Sequence, residues 1–437
     1  MKKFLGSQKK EISCAAELKK AADKQRNKTL IDIGKKLELN KFLHLIQFMI
    51  NIFHYRGILS AKLISIKEIM AGNFPNVEIL SAENVHLYYA SPAFNDGSNR
   101  KQELSEGREY IQYALIIKNA IVYGDSNLID LSTKKVLFDM PVLDEAKRYK
   151  YTDNSTKIIN IRGKNVLYWK GLTHTLDEAI WMGGNYSWNY YHLLYEFVIK
   201  FLQLNTLNIP ADVPVLIDQT CLEIPQFKEL LDIANKKKYP LVGLDRRSRM
   251  KVGELIFVGC PNFIPPNIKI ESGYRPDDTQ FNISALRDLR SHFLPYSSQK
   301  EFPKRIFISR KNASARRKFN EEEIVQTLSE FEFVVVYPET LSVADQISLF
   351  SQAEWIIGGS GAAFANLLFC QPACNVVIST KMRFVVSTFS TIAKALDVNL
   401  VYITEEDTNK NVCFKDIHEA YKLDPSYLRN YLINSGL

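Results

Sequence analysis

The stretch RIFIS at residues 305–309 opens a series of five short apolar runs that decides the fold. The other four runs are FVVVYP (333–338), WIIGG (355–359), NVVIST (375–380) and NLVYIT (399–404). Segments with the apolar spacing of helices separate them, at 320–330, 341–353 and 384–396. Because strands that alternate with helices build a parallel sheet, we expect a doubly wound, Rossmann-like domain over residues 276–437.

The region upstream, residues 76–275, begins with β-rich runs and then changes to a second alternation of strands and helices. Runs such as VHLYYA (85–90) and KVLFDM (135–140) come first, and VPVLID (213–218) and ELIFVG (254–259) lie among helical segments. Four prolines between residues 260 and 280 mark a crossing to the C-terminal domain. We therefore expect a second α/β domain over residues 76–275.

The N-terminal residues 1–75 carry the basic charge of the chain and form a third predicted part. The whole chain has a net charge of +8, and residues 1–70 hold 15 Lys and Arg against 6 Asp and Glu. The remainder is close to neutral, which argues against a nucleic-acid partner. The spacing of apolar residues over Leu39–Ile66 predicts a helix, either packed on the body or lying on an anionic membrane surface.

Several classes of protein are excluded by composition. Apolar residues make up 46% of the 437 residues and charged residues 24%, which is globular composition rather than disorder. No apolar run is long enough to span a membrane. The six cysteines are scattered, which indicates a reducing compartment. We expect a cytoplasmic protein, and attachment to the inner face of the cell membrane stays open.

The carboxyl ends of the predicted strands are where a parallel sheet binds its ligands. Ser309, Arg310 and Lys311 follow the first C-terminal strand, and Arg316, Arg317 and Lys318 come shortly after. The planar fork of arginine suits phosphate oxygens, so this loop predicts an anion site. The alternative is a solvated basic loop.

A glycine-rich turn follows the strand at 355–359. The sequence Gly358-Gly359-Ser360-Gly361-Ala362-Ala363 lets a ligand approach the backbone, and a helix N-terminus after it favours anions. Asn366 lies one turn into that helix, where it could bond a loop or face a ligand. The alternative for the turn is close packing of strand on helix.

A polar stripe is predicted on a helix over residues 185–204. Its members Asn185, Asn189, His192 and Glu196 recur at helical spacing among large apolar residues. His192 beside Glu196 could act as a general base whose tautomer the carboxylate fixes. The alternative is a satisfied buried pair that stabilises the core.

These features together resemble glycosyltransferase family 61, the group found among capsular polysaccharide enzymes. The stretches that carry the resemblance are NYSWNYYHLLYE (185–196), RIFISRKNASARRKFNEEE (305–323), LSVADQISLFSQAEWIIGGSGAAFANLLF (341–369) and NVVIS (375–379). In order and spacing they are similar to the family's motifs over residues 110–405. This chain departs at Ser360, where many members have His, and at Ser379, where many have Glu.

The resemblance implies a GT-B-like α/β architecture, with two Rossmann-like domains that face each other across a cleft and an N-terminal helical appendage. It implies an inverting, metal-independent transferase without a cofactor, which uses a nucleotide-sugar donor, with a UDP-sugar favoured. The acceptor would be a glycan or lipid-linked glycan in bacterial capsule or lipopolysaccharide synthesis. His192 and Glu196 would be catalytic, and Asn185 and Asn189 would lie on the acceptor side. The donor-binding residues would be Ser309, Arg310, Arg316, Arg317, Asn320, Glu321, Ser360, Gly361, Ala362 and Asn366.

Two other functions use the same anion site and stay open at this point. A phosphotransferase or phosphatase would need a nucleophile or metal site, and the sequence shows no motif for one. A non-catalytic nucleotide- or sugar-binding protein would keep the arginines, while the polar stripe served only packing.

Overall fold

The described part of the chain is a mixed α/β fold with two main sheets. The computed structural model describes residues 58–95, 103–138, 149–150, 153–169, 173–265, 269–270, 275–313, 317–381, 386–405 and 419–437. Leu59–Tyr168 and Leu172–Leu437 form one compact unit. The mixed α/β class predicted from the sequence is thus confirmed. Residues 1–57 of the predicted basic segment lie outside the described residues.

Among the described residues, the larger sheet has eleven strands, and a short ribbon lies apart from it. The ribbon pairs β6 (Tyr149–Lys150) with β13 (Lys269–Ile270). The strands of the large sheet are β1 (Ile58–Ile64), β2 (Val77–Tyr89), β3 (Ser105–Tyr123), β4 (Leu128–Asp130), β5 (Lys135–Phe138), β7 (Ile158–Arg162), β8 (Asn165–Trp169), β9 (His174–Trp181), β10 (Val215–Asp218), β11 (Leu241–Leu244) and β12 (Arg249–Val258).

Four neighbouring parallel strands form one end of this sheet. The order β11-β10-β9-β12 is parallel throughout, and β3 then joins β12 antiparallel, with β2 on β3. Numbered by their order along the chain, the four parallel strands stand side by side as 3-2-1-4, like the first four strands of a doubly wound sheet. The chain adds β10 and β11 on one side of β9 and β12 on the other side. The switch point of this sheet therefore lies between β9 and β12, and the segment that follows β9 starts there.

The helix predicted over Leu39–Ile66 is wrong from Ile58 onward. Residues Ile58–Ile64 form strand β1, which pairs parallel with β5, and Ser65 then caps a short helix at Ile66–Ala71. The spacing of apolar residues here fits a helix as well as a strand. Pairing with β5, more than seventy residues away in the sequence, stabilises the extended form. Residues 39–57 lie outside the described part of the chain.

The second sheet has five strands, all parallel, in the order β15-β14-β16-β17-β18. These are β14 (Arg305–Ile308), β15 (Val334–Val336), β16 (Trp355–Gly359), β17 (Asn375–Thr380) and β18 (Asn399–Thr404). The order along the chain is 2-1-3-4-5, a doubly wound arrangement whose switch point lies between β14 and β16. Every residue of β16 is buried, as expected for a central strand covered on both faces.

The described helices Glu321–Ser329, Val343–Gln352 and Thr388–Ala395 lie within predicted segments, whereas Ile283–Phe293 and Pro425–Asn434 were not predicted. The helices flank the sheets. They are α1 (Ile66–Ala71), α2 (Tyr190–His192), α3 (Lys200–Leu204), α4 (Gln219–Glu223), α5 (Pro225–Ala234), α6 (Ile283–Phe293), α7 (Glu321–Ser329), α8 (Val343–Gln352), α9 (Thr388–Ala395) and α10 (Pro425–Asn434). A π-helical turn, Leu193–Val198, joins α2 to α3. The 3₁₀ helices are Pro276–Asp278, Leu294–Tyr296, Pro338–Thr340 and Ala362–Phe369.

Three helix starts show how the sequence sets the boundaries. Ser342 accepts a hydrogen bond from the backbone N–H of Asp345 (3.1 Å) and thereby caps α8. Asn320 precedes α7 as predicted, but its side chain makes no cap bond to that helix. The helix after Gly361 is a 3₁₀ helix, a tighter form than the predicted α-helix. None of the described helices is both long enough and apolar enough to cross a membrane.

Candidate active site

A cavity of about 500 Å³ opens at the carboxyl ends of β14 and β16, the switch point of the five-stranded sheet. Such crevices are where doubly wound sheets bind ligands, because the chain leaves the two neighbouring strands in opposite directions. Several residues that the sequence analysis placed after these strands line this cavity, and their role as a binding site stays a prediction. The lining residues are Asn189, Tyr190, Ile224, Gln226, Phe227, Ile308, Ser309, Arg310, Asn312, Ala313, Arg317, Pro338, Glu339, Gln346, Gly359, Gly361, Ala362, Ala363 and Asn366.

Arg310 lies across the glycine turn that follows β16. A Cβ atom added to Gly361 would collide with Nη1 of Arg310, and one added to Gly359 would lie 2.8 Å from Cδ of the same side chain. Gly361 has an extended backbone (φ −174°), so the position needs the missing side chain rather than an unusual conformation. The space that the glycines leave, which was predicted to admit a ligand, is thus occupied by the side chain of Arg310. Burial lowers the pKa of the Arg310 guanidinium, although arginine stays charged at neutral pH.

Arg317 brings a second guanidinium to the same turn. Its Nη1 donates to the carbonyl oxygen of Ser360 (3.2 Å) and to Oγ of Ser360 (3.3 Å). Ser360 in turn donates its backbone N–H to the carbonyl of Ser379 on β17 (2.9 Å). Two predicted cations therefore converge on one backbone turn beside the cavity. Arg316, the third predicted arginine, lies outside the described residues.

Glu321 fixes the loop that carries Arg310. Its carboxylate accepts the backbone N–H of Arg310 (2.9 Å) and the hydroxyl of Ser309. Asn320 exchanges two hydrogen bonds with the backbone of Leu423, at 2.9 and 3.0 Å. Both residues line a neighbouring cavity of about 560 Å³, which also includes Arg310, rather than the cavity at the switch point. The structure thus gives them anchoring contacts, and a direct donor contact stays a prediction.

Asn366 connects the elements around the cavity. Its Oδ1 accepts the hydroxyl of Tyr190 (2.7 Å) and its Nδ2 donates to Oε1 of Gln346 (2.9 Å). Asn366 is fully buried, which explains why a polar residue follows Phe364 in an apolar helix: it joins α2 to α8. Burial raises the pKa of Tyr190, so the phenol stays protonated and donates.

His192 and Glu196 form the predicted pair. Nδ1 of His192 is hydrogen-bonded to Oε1 of Glu196, which is buried, while the His192 side chain is 20% exposed. A carboxylate on Nδ1 fixes the proton there and leaves Nε2 as the ring atom that can accept one. The pair stands where α2 passes into the π-helical turn, a feature often found at functional sites. His192 does not line the switch-point cavity, whereas Asn189 and Tyr190 of the same segment do.

The predicted polar stripe is wrong at its first member. The helix begins at Tyr190, with Asn189 as its cap (3.0 Å from Oδ1 to the N–H of Tyr191), so Asn185 lies in the turn before it. Oδ1 of Asn185 accepts the backbone N–H of Asn154 (2.9 Å), and the residue is fully buried. Asn185 therefore holds two loops together and lies outside the cavity lining.

Tyr421, which the sequence analysis does not single out, lies beside the glycine turn: a Cβ atom added to Gly359 would lie 3.2 Å from its hydroxyl oxygen. Its hydroxyl is 2.7 Å from Oγ of Ser379, and its ring stacks on Phe319 (5.2 Å between centroids). Ser379 is thus buried against a tyrosine rather than turned to the cavity. No local signal marks Tyr421, because it lies 42 residues from its partner. Within the described ranges, no three His, Cys, Asp or Glu side chains stand together as metal ligands.

A cavity at the switch point of a parallel sheet, lined by arginines, is typical of proteins that bind phosphorylated small molecules. The comparison with known families narrows this class. The family model described as Glycosyltransferase 61 matches residues 190–377, which confirms the resemblance over that range and indicates a glycosyltransferase. The range includes every predicted site residue except Asn185 and Asn189. No curated protein matches the chain.

Proposed function

We propose that the protein is an inverting, metal-independent glycosyltransferase that moves a sugar from a nucleotide-sugar donor, with a UDP-sugar favoured, to a hydroxyl group of a glycan. The observation that carries the proposal is the convergence of Arg310 and Arg317 on the turn at Ser360. Both arginines line the cavity, and so do Asn189 and Tyr190, which belong to the segment that carries His192 and Glu196. The GT-B-like arrangement of two domains, divided near residue 275, is part of the proposal.

The arginines would stabilise the leaving group. When the bond from the anomeric carbon to the diphosphate oxygen breaks, the electron pair and its negative charge go to the diphosphate. Arg310 and Arg317 offer N–H donors in a fixed fork, and the partial burial of Arg310 strengthens its interaction with an anion. Stabilising charge that develops in the transition state usually contributes more to the rate than any other single effect. The cationic pair supports a reaction that needs no metal.

The base would be His192. Its Nε2 would take the proton of the acceptor hydroxyl as the oxygen bonds to the anomeric carbon, and Glu196 would stabilise the imidazolium that forms. Attack opposite the departing diphosphate in one displacement inverts the anomeric centre. If the assignment is right, His192→Ala keeps donor affinity and loses turnover by roughly 10²–10⁴-fold. Full turnover of the folded variant would refute it.

A donor panel tests the proposal directly. We expect one nucleotide class among UDP-, GDP-, CMP- and TDP-sugars to raise the melting temperature in the presence of EDTA. Arg310→Ala should weaken that binding by roughly 10- to 100-fold, since a charge-assisted contact is lost. Arg305→Ala is the matched control, because Arg305 starts the same strand at the opposite end and bonds the backbone of Phe331. Equal donor affinity in all three proteins would contradict the proposal.

The cellular role is proposed from the resemblance and from the charge of the N-terminal part. We place the enzyme in bacterial capsule or lipopolysaccharide synthesis, on the inner face of the cell membrane, where residues 1–70 would meet anionic lipid near a lipid-linked acceptor. In a flotation assay at low salt, the full-length protein should rise with anionic vesicles and should stay in the bottom fraction when the vesicles are neutral. Equal behaviour with both vesicles would refute the membrane attachment.

A further inference from the structure

Two aromatic rings emerge from an otherwise buried turn next to His192. The turn GGNYSW (183–188) connects β9 to α2. Residues 183–185 and Ser187 are buried, whereas Tyr186 is half-buried and Trp188 is 47% exposed. Only the two large aromatic side chains of this turn are therefore exposed to solvent, although exposing large apolar side chains to water costs the most free energy.

Buried polar contacts hold the backbone of this turn in place. Oδ2 of Asp218 accepts the N–H of Gly184 (2.7 Å), and Oδ1 of Asn127 accepts the N–H of Asn185 (2.8 Å). The bond to Asp218 is buried and the bond to Asn127 is partly buried, so both are shielded from water. The turn is thus a fixed support rather than a loop that could fold its rings inward.

Tyr186 has a strained backbone that places its ring on the proposed base. Its φ is +63°, in the left-handed region that a bulky residue adopts at a cost of about 1–3 kcal/mol. The ring stacks on His192, with 5.2 Å between centroids and 26° between planes, and it contacts Trp188 at 5.6 Å. A continuous row of rings therefore runs from solvent to the histidine.

We propose that Trp188 and Tyr186 form the surface on which a sugar ring of the acceptor stacks, so that a hydroxyl at the edge of that ring reaches His192. This inference rests on the proposed function. A pyranose presents a face of C–H bonds, which suits the negative face of an aromatic ring, and hydroxyl groups around its edge. Two rings beside buried polar residues are too small for a stable protein interface, which needs about 800 Å² on each partner.

The tryptophan content of the chain makes a direct binding test available. The chain has four tryptophans, and Trp169, Trp181 and Trp355 are buried, so acrylamide quenches Trp188 preferentially. The probes are the methyl β-glycosides of glucose, galactose and N-acetylglucosamine, each titrated with and without UDP. We expect saturable protection of Trp188 by at least one glycoside. Trp188→Phe identifies the signal by removing the quenchable component.

Kinetics separate stacking from a merely structural role. Trp188→Leu should raise the acceptor KM by roughly three- to tenfold, whereas Trp188→Phe keeps a ring and stays close to the wild type. Tyr186→Asn, which tolerates the left-handed backbone, should raise the acceptor KM too. Tyr296→Ala, which removes another exposed ring (44%), is the control away from the site.

The outcomes for the two proposals differ. The inference is overturned if the protein binds donor but no glycoside protects Trp188, or if Trp188→Leu leaves the acceptor KM unchanged. Protection of Trp188 by a glycoside without any nucleotide binding would support the sugar surface and refute the proposed glycosyl transfer.

Discussion

Replacing Gly361 by alanine should damage the site without damaging the fold. The new Cβ would fall well inside 3.0 Å of Nη1 of Arg310, a separation that real Cβ atoms essentially never show. Ordinary contact begins at 3.4 Å, so the guanidinium has to move by more than roughly 1 Å. Nη1 is the end of a flexible side chain and the backbone at Gly361 is extended, so the free energy of unfolding should fall by about 1 kcal/mol at most.

The effect on the site should be much larger than the effect on stability. A displacement of about 1 Å in a catalytic contact costs on the order of 10²-fold in rate. We therefore expect kcat/KM to fall by about 100-fold and the affinity for the donor nucleotide to fall with it, if Arg310 holds the diphosphate. Isothermal calorimetry with the nucleotide, steady-state kinetics and thermal melting of the same preparation measure the three quantities.

The matched control is Gly163→Ala, which should give the opposite result. Gly163 has φ +56° with open space around its Cβ position, so alanine there strains only the backbone, by about 1 kcal/mol. Stability should fall while donor affinity stays at the wild-type value. Wild-type donor affinity and turnover in Gly361→Ala would refute the argument that the glycine exists to position Arg310.

Two further predictions concern the anchoring contacts. Glu321→Ala should lower the free energy of unfolding by about 1–3 kcal/mol and weaken donor binding, because Ser309 and the N–H of Arg310 lose their shared acceptor; an unchanged denaturant midpoint would contradict this. Burial raises the pKa of Asp218 to about 7, so between about pH 4 and 7 the folded protein holds a proton that the unfolded chain has released. The contribution of Asp218 to the free energy of unfolding therefore falls as the pH rises, by about 2–3 kcal/mol from pH 5 to 7. Urea unfolding of Asp218→Asn should show a shallower fall, and an equal slope would refute the assignment.

The strands of the second sheet could be predicted closely because their sequences carry the signal locally. The run WIIGG matches β16 without error, and NVVIST matches β17, since a parallel strand covered on both faces is a continuous apolar run. The carboxyl-end rule then located Arg310 and the glycine turn in one cavity. These inferences need only the order of elements along the chain.

The errors arose where distant contacts decide the local conformation. Residues Ile58–Ile64 have helical apolar spacing, but pairing with β5 makes them a strand. Asn185 has the spacing of the helix that follows it, but buried acceptors on other elements bind the turn at Gly184 and Asn185 and delay the helix start to Tyr190. No local pattern contains the position of those acceptors, so spacing alone could not place the first turn.

The separation of the two proposed chemical roles explains why no single motif identifies the site. The cations come from the end of β14, whereas the His192–Glu196 pair follows β9 of the other sheet. The hydrogen bond from Tyr190 to Asn366 joins the segment of His192 to the 3₁₀ helix that follows the glycine turn, across 176 residues of sequence. Loss of this hydrogen bond should therefore change the position of His192 relative to the diphosphate, while the contacts within the His192 segment and within the arginine loop remain. The hydroxyl of Tyr195 makes a second such link, to the carbonyl oxygen of Ala365 (2.7 Å), so two contacts that no local pattern predicts hold the His192 segment beside the cavity.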